Sequence, residues 1–207
     1  ELAQDTAWLS RLYNNLGLMH DGLGDRTQAM SWLLKQLELG RRLGDEQQEA
    51  TALHDLGFLA VGTQQSRDYF CKARELFYKA GDGWGVALSC LNLAEGYIKE
   101  SDYEWALQLV DEAMSIENHE GEAVEKAFIN QTLGNIRAAQ GNYDKALEHY
   151  QTSLDFTSNG QGDDNLTPDI YLEMGKIYQK LGRLDEALAY LHKGLQLAEE
   201  MDFRVVI

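Results

Sequence analysis

Apolar residues recur along this chain at i, i+3, i+4 and i+7, as in Leu9, Leu12, Leu16 and Met19. That spacing lays them on one face of an α-helix. No stretch shows the period-two alternation of a half-buried strand. One phrase returns five times: Asn15-Leu16-Gly17, Asp55-Leu56-Gly57, Asn92-Leu93-Ala94, Thr132-Leu133-Gly134 and Glu173-Met174-Gly175. Its small residues are 40, 37, 40 and 41 positions apart. A second small residue follows twelve positions later at Ala29, Ala106, Ala146 and Ala187, and after a three-residue deletion at Ser66. Four positions on stands a large apolar group: Leu33, Phe70, Val110, Tyr150 and Leu191. The pattern predicts five helix–turn–helix repeats and an all-α chain.

The spacing has a physical reading. Two antiparallel helices approach closely where both carry small side chains, and the large residue one turn later is expected to fill the groove to the neighbouring pair. Turn signals agree with it. Within repeats they are Leu23-Gly24-Asp25, Glu100-Ser101-Asp102, Gln140-Gly141-Asn142 and Leu181-Gly182-Arg183; between repeats they are Gly44-Asp45, Gly81-Asp82, Gly121-Glu122 and Gly162-Asp163. A left-handed glycine closes one helix and an acid caps the next. The repeats therefore run over about 5–44, 45–81, 82–121, 122–162 and 163–201. An acid stands twelve residues before each later small position, and the same count lands on Asp5. Glu1 to Gln4 then read as the tail of an earlier helix, Asp202 opens a further one over 202–207, and the chain reads as a segment of a longer protein. At the last joint, Thr157 to Thr167 is a polar loop, with Thr167 capping a helix that has Pro168 in its first position.

Composition narrows the function. Eighteen Lys and Arg against 34 Asp and Glu give a formal charge of −16. Such a surface repels phosphate backbones and anionic lipid, so neither nucleic acid nor membrane is an expected partner, whereas a basic protein or peptide is steered towards it. The acids Glu100, Asp102, Glu104, Asp111, Glu112, Glu117, Glu120, Glu122 and Glu125 run without a Lys or Arg between them. Cys71 and Cys90 sit at apolar helical positions and read as reduced, buried thiols. With no apolar run of membrane-spanning length and no signal-peptide pattern, the expected location is cytoplasmic.

With these anchors in place, the chain resembles the tetratricopeptide repeat family, whose pattern sets Trp, Leu, Gly and Tyr on the first helix and Ala, Phe and Ala on the second. The Tyr position holds His20, Ala60, Tyr97, Arg137 and Tyr178, and the family's closing proline is replaced by Arg41, Tyr78, Asn118, Ser158 and Glu199. The longer period is similar to that of kinesin light chains, spindle-orientation adaptors and bacterial peptide-sensing regulators. The resemblance implies a right-handed α-α superhelix that binds a protein or peptide in a concave groove, without catalysis or cofactor. Carrying the family's groove phase onto this chain picks out Arg11, Asn14, Asn15, Thr51, His54, Phe58, Asn92, Glu95, Gln131, Asn135 and Lys176. Its amides can donate and accept at once, as an extended peptide backbone requires. The alternative is that these amides bond to neighbouring repeats.

An enzymatic reading finds little support. His20-Asp21 and His54-Asp55 look like the His-Asp pairs of metal phosphohydrolases. Adjacent residues on a helix diverge by about 100°, and no third ligand follows at metal-binding spacing. Trp8, Trp32, Trp84 and Trp105 read as packing anchors. An interaction scaffold is thus the first expectation, and a ligand-sensing segment of a larger bacterial signalling or transcription regulator is the alternative.

Overall fold

The computed structural model describes residues 2–116, 122–157 and 166–205. These form ten α-helices: α1 (Leu2–Gly22), α2 (Arg26–Leu43), α3 (Glu46–Leu59), α4 (Gln64–Ala80), α5 (Gly83–Lys99), α6 (Tyr103–Met114), α7 (Glu122–Ala139), α8 (Tyr143–Thr157), α9 (Leu166–Lys180) and α10 (Leu184–Val205). Consecutive helices make five antiparallel helix–turn–helix units, as the repeat predicts. They gather into two compact units, one built mainly of residues up to Gly96 and one mainly of residues from Tyr97 onward.

Pairs are locked where the first helix carries glycine, with the large side chain of the second helix at the contact as well as the small residue. A Cβ added at Gly57 would lie 2.6 Å from Cε1 of Phe70, and one at Gly134 would lie 2.5 Å from Cε1 of Tyr150. At Gly17 and Gly175 it would meet Leu33 and Leu191, both at 2.7 Å. The large residue therefore seats on the glycine of its own pair, and Tyr150 also reaches the next pair as expected, packing with Leu166, Ile170, Met174 and Ile177. The small partners Ala29, Ala106, Ala146 and Ala187 are buried beneath it. Where the second copy has Ser66, its Oγ donates to the Gly57 carbonyl at 2.8 Å, so the hydroxyl is satisfied in the same tight space. Between pairs, side chains of intermediate size fill the joint. In the second unit, Tyr150 and Leu154 of α8 cluster with Ala127, Ala146, Leu166, Ile170, Met174 and Ile177.

The turns follow the expected chemistry. Gly44 and Gly81 close α2 and α4 in the left-handed region, and Asp45 and Asp82 cap the next helices by accepting from the amides of Gln48 at 3.0 Å and Gly85 at 2.9 Å. Within pairs, Gly24, Gly141 and Gly182 take φ near +75 to +78°, and Ser101 takes the same place at +63°. Gly121 and Gly162 lie outside the described residues, as does most of the 157–167 loop.

Three boundaries differ. Asp5 and Asp202 lie inside α1 and α10, which run through without a break. Neither acid follows a glycine, so nothing there lets the backbone leave the helix cheaply, and an acid alone does not stop one. Helix α9 begins at Leu166, which makes Pro168 its third residue. The ring is tolerated there because the first-turn N–H groups have no intrahelical partner. Thr167 Oγ1 lies 3.1 Å from Thr157 Oγ1.

Three substitutions test this packing by thermal or chemical denaturation. Gly134→Ala must displace the Tyr150 ring and is expected to destabilise by about 1–3 kcal/mol. Gly96→Ala meets nothing within 4 Å and is expected to stabilise its helix by about 0.5–1 kcal/mol. Ser101→Gly relieves the one non-glycine left-handed residue described and should add about 1 kcal/mol.

Candidate partner-binding face

The predicted groove residues of the first unit lie on one face of each first helix, and hydrogen bonds join those faces. Asn14 of α1 donates through Nδ2 to Oδ2 of Asp55 on α3 at 2.5 Å, and lies 3.3 Å from the Gln36 amide oxygen on α2. Nε2 of His54, one residue before Asp55, lies 3.1 Å from Nδ2 of Asn92 on α5. With Asn92 donating, Nε2 is the acceptor and Nδ1 carries the proton, on the side where Asp55 Oδ1 lies 3.9 Å away. A polar ladder Asn14–Asp55, His54–Asn92 thus runs across α1, α3 and α5. The His54 ring is wedged edge-on between Phe58 at 5.0 Å, Phe70 at 5.4 Å and Phe77 at 6.2 Å, which fixes its orientation.

Around the ladder the same faces stay open. Arg11 and Asn15 are exposed and, with Trp8 and Leu12, line a shallow hollow on α1. Leu18 and Phe58 expose about half of their surface, at 52% and 48%. Thr51 is half-buried, with its hydroxyl turned back onto the Gln47 carbonyl at 3.0 Å, so it offers less to a partner than its position suggests. Glu95 is half-buried on α5.

In the second unit the picked residues do not converge in this way. Asn135 accepts from the Tyr150 hydroxyl at 2.6 Å, which ties it to the helix-pair lock. Gln131 is half-buried on α7, and Lys176 is exposed on α9 and donates to Glu173 at 2.6 Å. Burial, reinforced by the neighbouring Glu173 and partly offset by Lys176, pushes the Asp169 carboxyl above its usual range. His149 is held below its ordinary value by burial first and by Arg137 second, with Nδ1 3.3 Å from the Asn130 amide oxygen.

The acidic run is not one solvated surface. Asp102 caps α6 by accepting from the Trp105 amide at 3.3 Å, and Glu125 is buried, while Glu104, Asp111 and Glu112 are exposed. Glu117, Glu120 and the Glu122 side chain lie outside the described residues. The tryptophans also divide: Trp32 packs against Tyr13, whereas Trp8 and Trp105 are 63% and 54% exposed. Cys90 is buried, but Cys71 is only half-buried, with its thiol pushed up mainly by that burial. Among the described residues no three His, Cys, Asp or Glu gather as a metal site, and no helix is long and apolar enough to cross a membrane.

Gln36 was not picked out from the pattern, though a signal for it exists. It stands seven residues after Ala29, a position that holds Ala73, Ala113, Ser153 and Gly194 in the other pairs. A buried glutamine among small residues marks a place where an amide is needed.

Known proteins bear on this geometry in two ways. Against solved structures, the chain superposes on BtubC (BKLC) from P. vanneervenii with a TM-score of 0.69 at 18% identity, covering 97% of this chain and 85% of that one. It superposes on NprR in complex with its cognate peptide NprX with a TM-score of 0.72 at 20% identity, covering 90% and 55%. These likenesses establish the fold. In sequence, the chain is 31% identical over 120 residues to Protein KINESIN LIGHT CHAIN-RELATED 2 of Arabidopsis thaliana, which is 56% of this chain but 18% of that protein's length. The tetratricopeptide repeat profile matches residues 10–40, 85–159 and 125–200. Residues 41–84, which hold the shortened second copy, lie between the matched stretches. Matched over more than half of its length, the chain belongs to the tetratricopeptide repeat family.

Proposed function

We propose that the chain is a protein-interaction scaffold whose contact surface in the first unit is the row of first helices α1, α3 and α5. Tetratricopeptide repeats generally mediate protein–protein interaction. The observation that carries the specific reading is the ladder. It holds three first helices side by side while leaving Arg11, Asn15, Leu18 and Phe58 open on the same faces. A surface already held in place loses little conformational entropy when it binds. Leu18 and Phe58 supply apolar contact, and the net charge of −16 favours a partner segment with basic flanks.

A second, sensing reading has its own support. The amides suited to gripping a peptide backbone, Asn14 and Asn92, are those that join one first helix to the next. A ligand that captures them must break inter-helix bonds, so occupancy and the spacing of adjacent pairs become linked. That is the behaviour a regulatory segment needs, and the peptide-bound NprR structure has the same fold.

Peptides selected from a random displayed library against the chain provide the test. Phe58→Ala and Leu18→Ala are each expected to weaken the selected peptides about tenfold or more with little change in thermal unfolding. Leu34→Ala, on the exposed side of α2, should leave binding unchanged. Equal effects at Leu18, Phe58 and Leu34 would overturn the assignment. Asn14→Ala and Asn92→Ala should lower stability itself, by about 1–3 kcal/mol, because each strands a half-buried partner. Affinity for basic peptides is expected to fall as salt is raised from low to physiological strength, and salt-insensitive capture would remove the electrostatic part of the proposal.

A further inference from the structure

The first helix of the second pair stops a turn short. Helices α1, α5, α7 and α9 each end five residues beyond their small position, at Gly22, Lys99, Ala139 and Lys180, whereas α3 ends two beyond Gly57, at Leu59. The three-residue deletion of the second copy has removed that turn. Where the turn is present, it packs against the start of the preceding second helix. The Tyr103 hydroxyl of α6 donates to the Ala139 carbonyl of α7 at 3.1 Å, and Nζ of Lys180 on α9 lies 5.7 Å from the centre of the Tyr143 ring on α8. Tyr103 and Tyr143 stand three residues before Ala106 and Ala146; the residue in that place on α2 is Arg26, three before Ala29. With α3 already ended, Arg26 borders a hollow of about 590 Å³ instead.

The lining of this hollow has a distinct chemistry. Met30 and Leu34 of α2 and Leu59 of α3 give it an apolar floor. Leu34 is 44% exposed, and its place is held by the exposed, polar Asp111 and Gln151 in the third and fourth pairs. An apolar residue thus stands open where those pairs keep a hydrophilic one. Arg26 and Lys35 flank the floor, with Glu38 as the one acid beside them. Lys35 is held at the edge by the Trp32 ring, its Nζ 3.7 Å from the ring centre. Among the described residues neither cation has a carboxylate partner, although the chain carries 34 acids.

We infer that this hollow is a second docking site, separate from the first-helix face, and that it takes a helical turn of a partner protein bearing a bulky apolar residue flanked by acids. In the complete joints a helical turn of the chain itself lies against the start of the preceding second helix, so a helix is the shape the space admits. The apolar side chain covers Met30, Leu34 and Leu59, which supplies the driving force. The acids meet Arg26 and Lys35, which fixes orientation and selects the partner. The charge preference is opposite to that of the first-helix face, so the two sites sort their partners by sign.

Helical peptides with an apolar centre between acidic flanks, selected from a displayed library against the intact chain, test this. Leu34→Asp and Arg26→Glu are each expected to weaken the selected peptides about tenfold or more, while Leu18→Ala and Phe58→Ala leave them unchanged. Leu34 and Arg26 are exposed, so the unfolding midpoint of either variant should match that of the unaltered chain. Exchanging the acidic flanks for basic ones should lower affinity for the unaltered chain and restore part of it with Arg26→Glu. Failure to select any such peptide, or selected peptides that ignore Leu34→Asp, would overturn the inference. So would self-association of the chain at ~100 μM that Leu34→Asp abolishes, since the hollow would then hold a second copy. Basic-flanked peptides lost with Leu18→Ala and Phe58→Ala report on the first-helix face alone, so the two readings fail separately.

Discussion

Everything in this chain hangs on one steric arrangement: a glycine in the first helix of a pair with a large side chain of the second helix seated on it. Leu33 on Gly17, Phe70 on Gly57, Tyr150 on Gly134 and Leu191 on Gly175 repeat it. Because a Cβ at any of these glycines would overlap the seated group, the two helices can meet in one register only. That register sets the phase of every other position. It sends Ile170 and Ile177 into the joint with the previous pair and turns Asn14, His54 and Asn92 towards neighbouring first helices.

Packing of this kind is specific within a pair but less directional between pairs, where aliphatic side chains slide past one another at modest cost. The polar ladder supplies direction in the first unit. Each such hydrogen bond contributes only about 0.5–1.5 kcal/mol net. A shifted stacking, however, would leave Asp55, Gln36 or the His54 ring without its partner in half-buried surroundings, which costs more than the bond contributes. On the proposed reading, the amides facing a ligand are also the ones that hold adjacent repeats in place.

The repeat, its five copies, the turns and the caps were legible in the amino-acid pattern because each rests on local chemistry. A glycine that can adopt positive φ and an acid that can accept from free first-turn amides act over four or five residues, as Gly44-Asp45 and Gly81-Asp82 do. The same local rule overreached at Asp5 and Asp202, where the acid is present without the glycine and the helix runs on. The groove positions were legible only as a phase. That phase put Asn14, Asn92 and Asn135 in one class, though the first two join successive first helices and the third serves the Tyr150 lock.

What the sequence determined by itself was therefore the class of fold and the number and bounds of most helices. All of these follow from periodicity and short-range hydrogen bonding. Only the tertiary structure decided which glycine receives which side chain, and that Gln36 and Asp55 answer Asn14. The physical reason is distance along the chain. Asn14 and Asp55 are 41 residues apart, and no local propensity encodes whether two such groups meet. Their meeting is settled by how the glycine locks orient successive pairs.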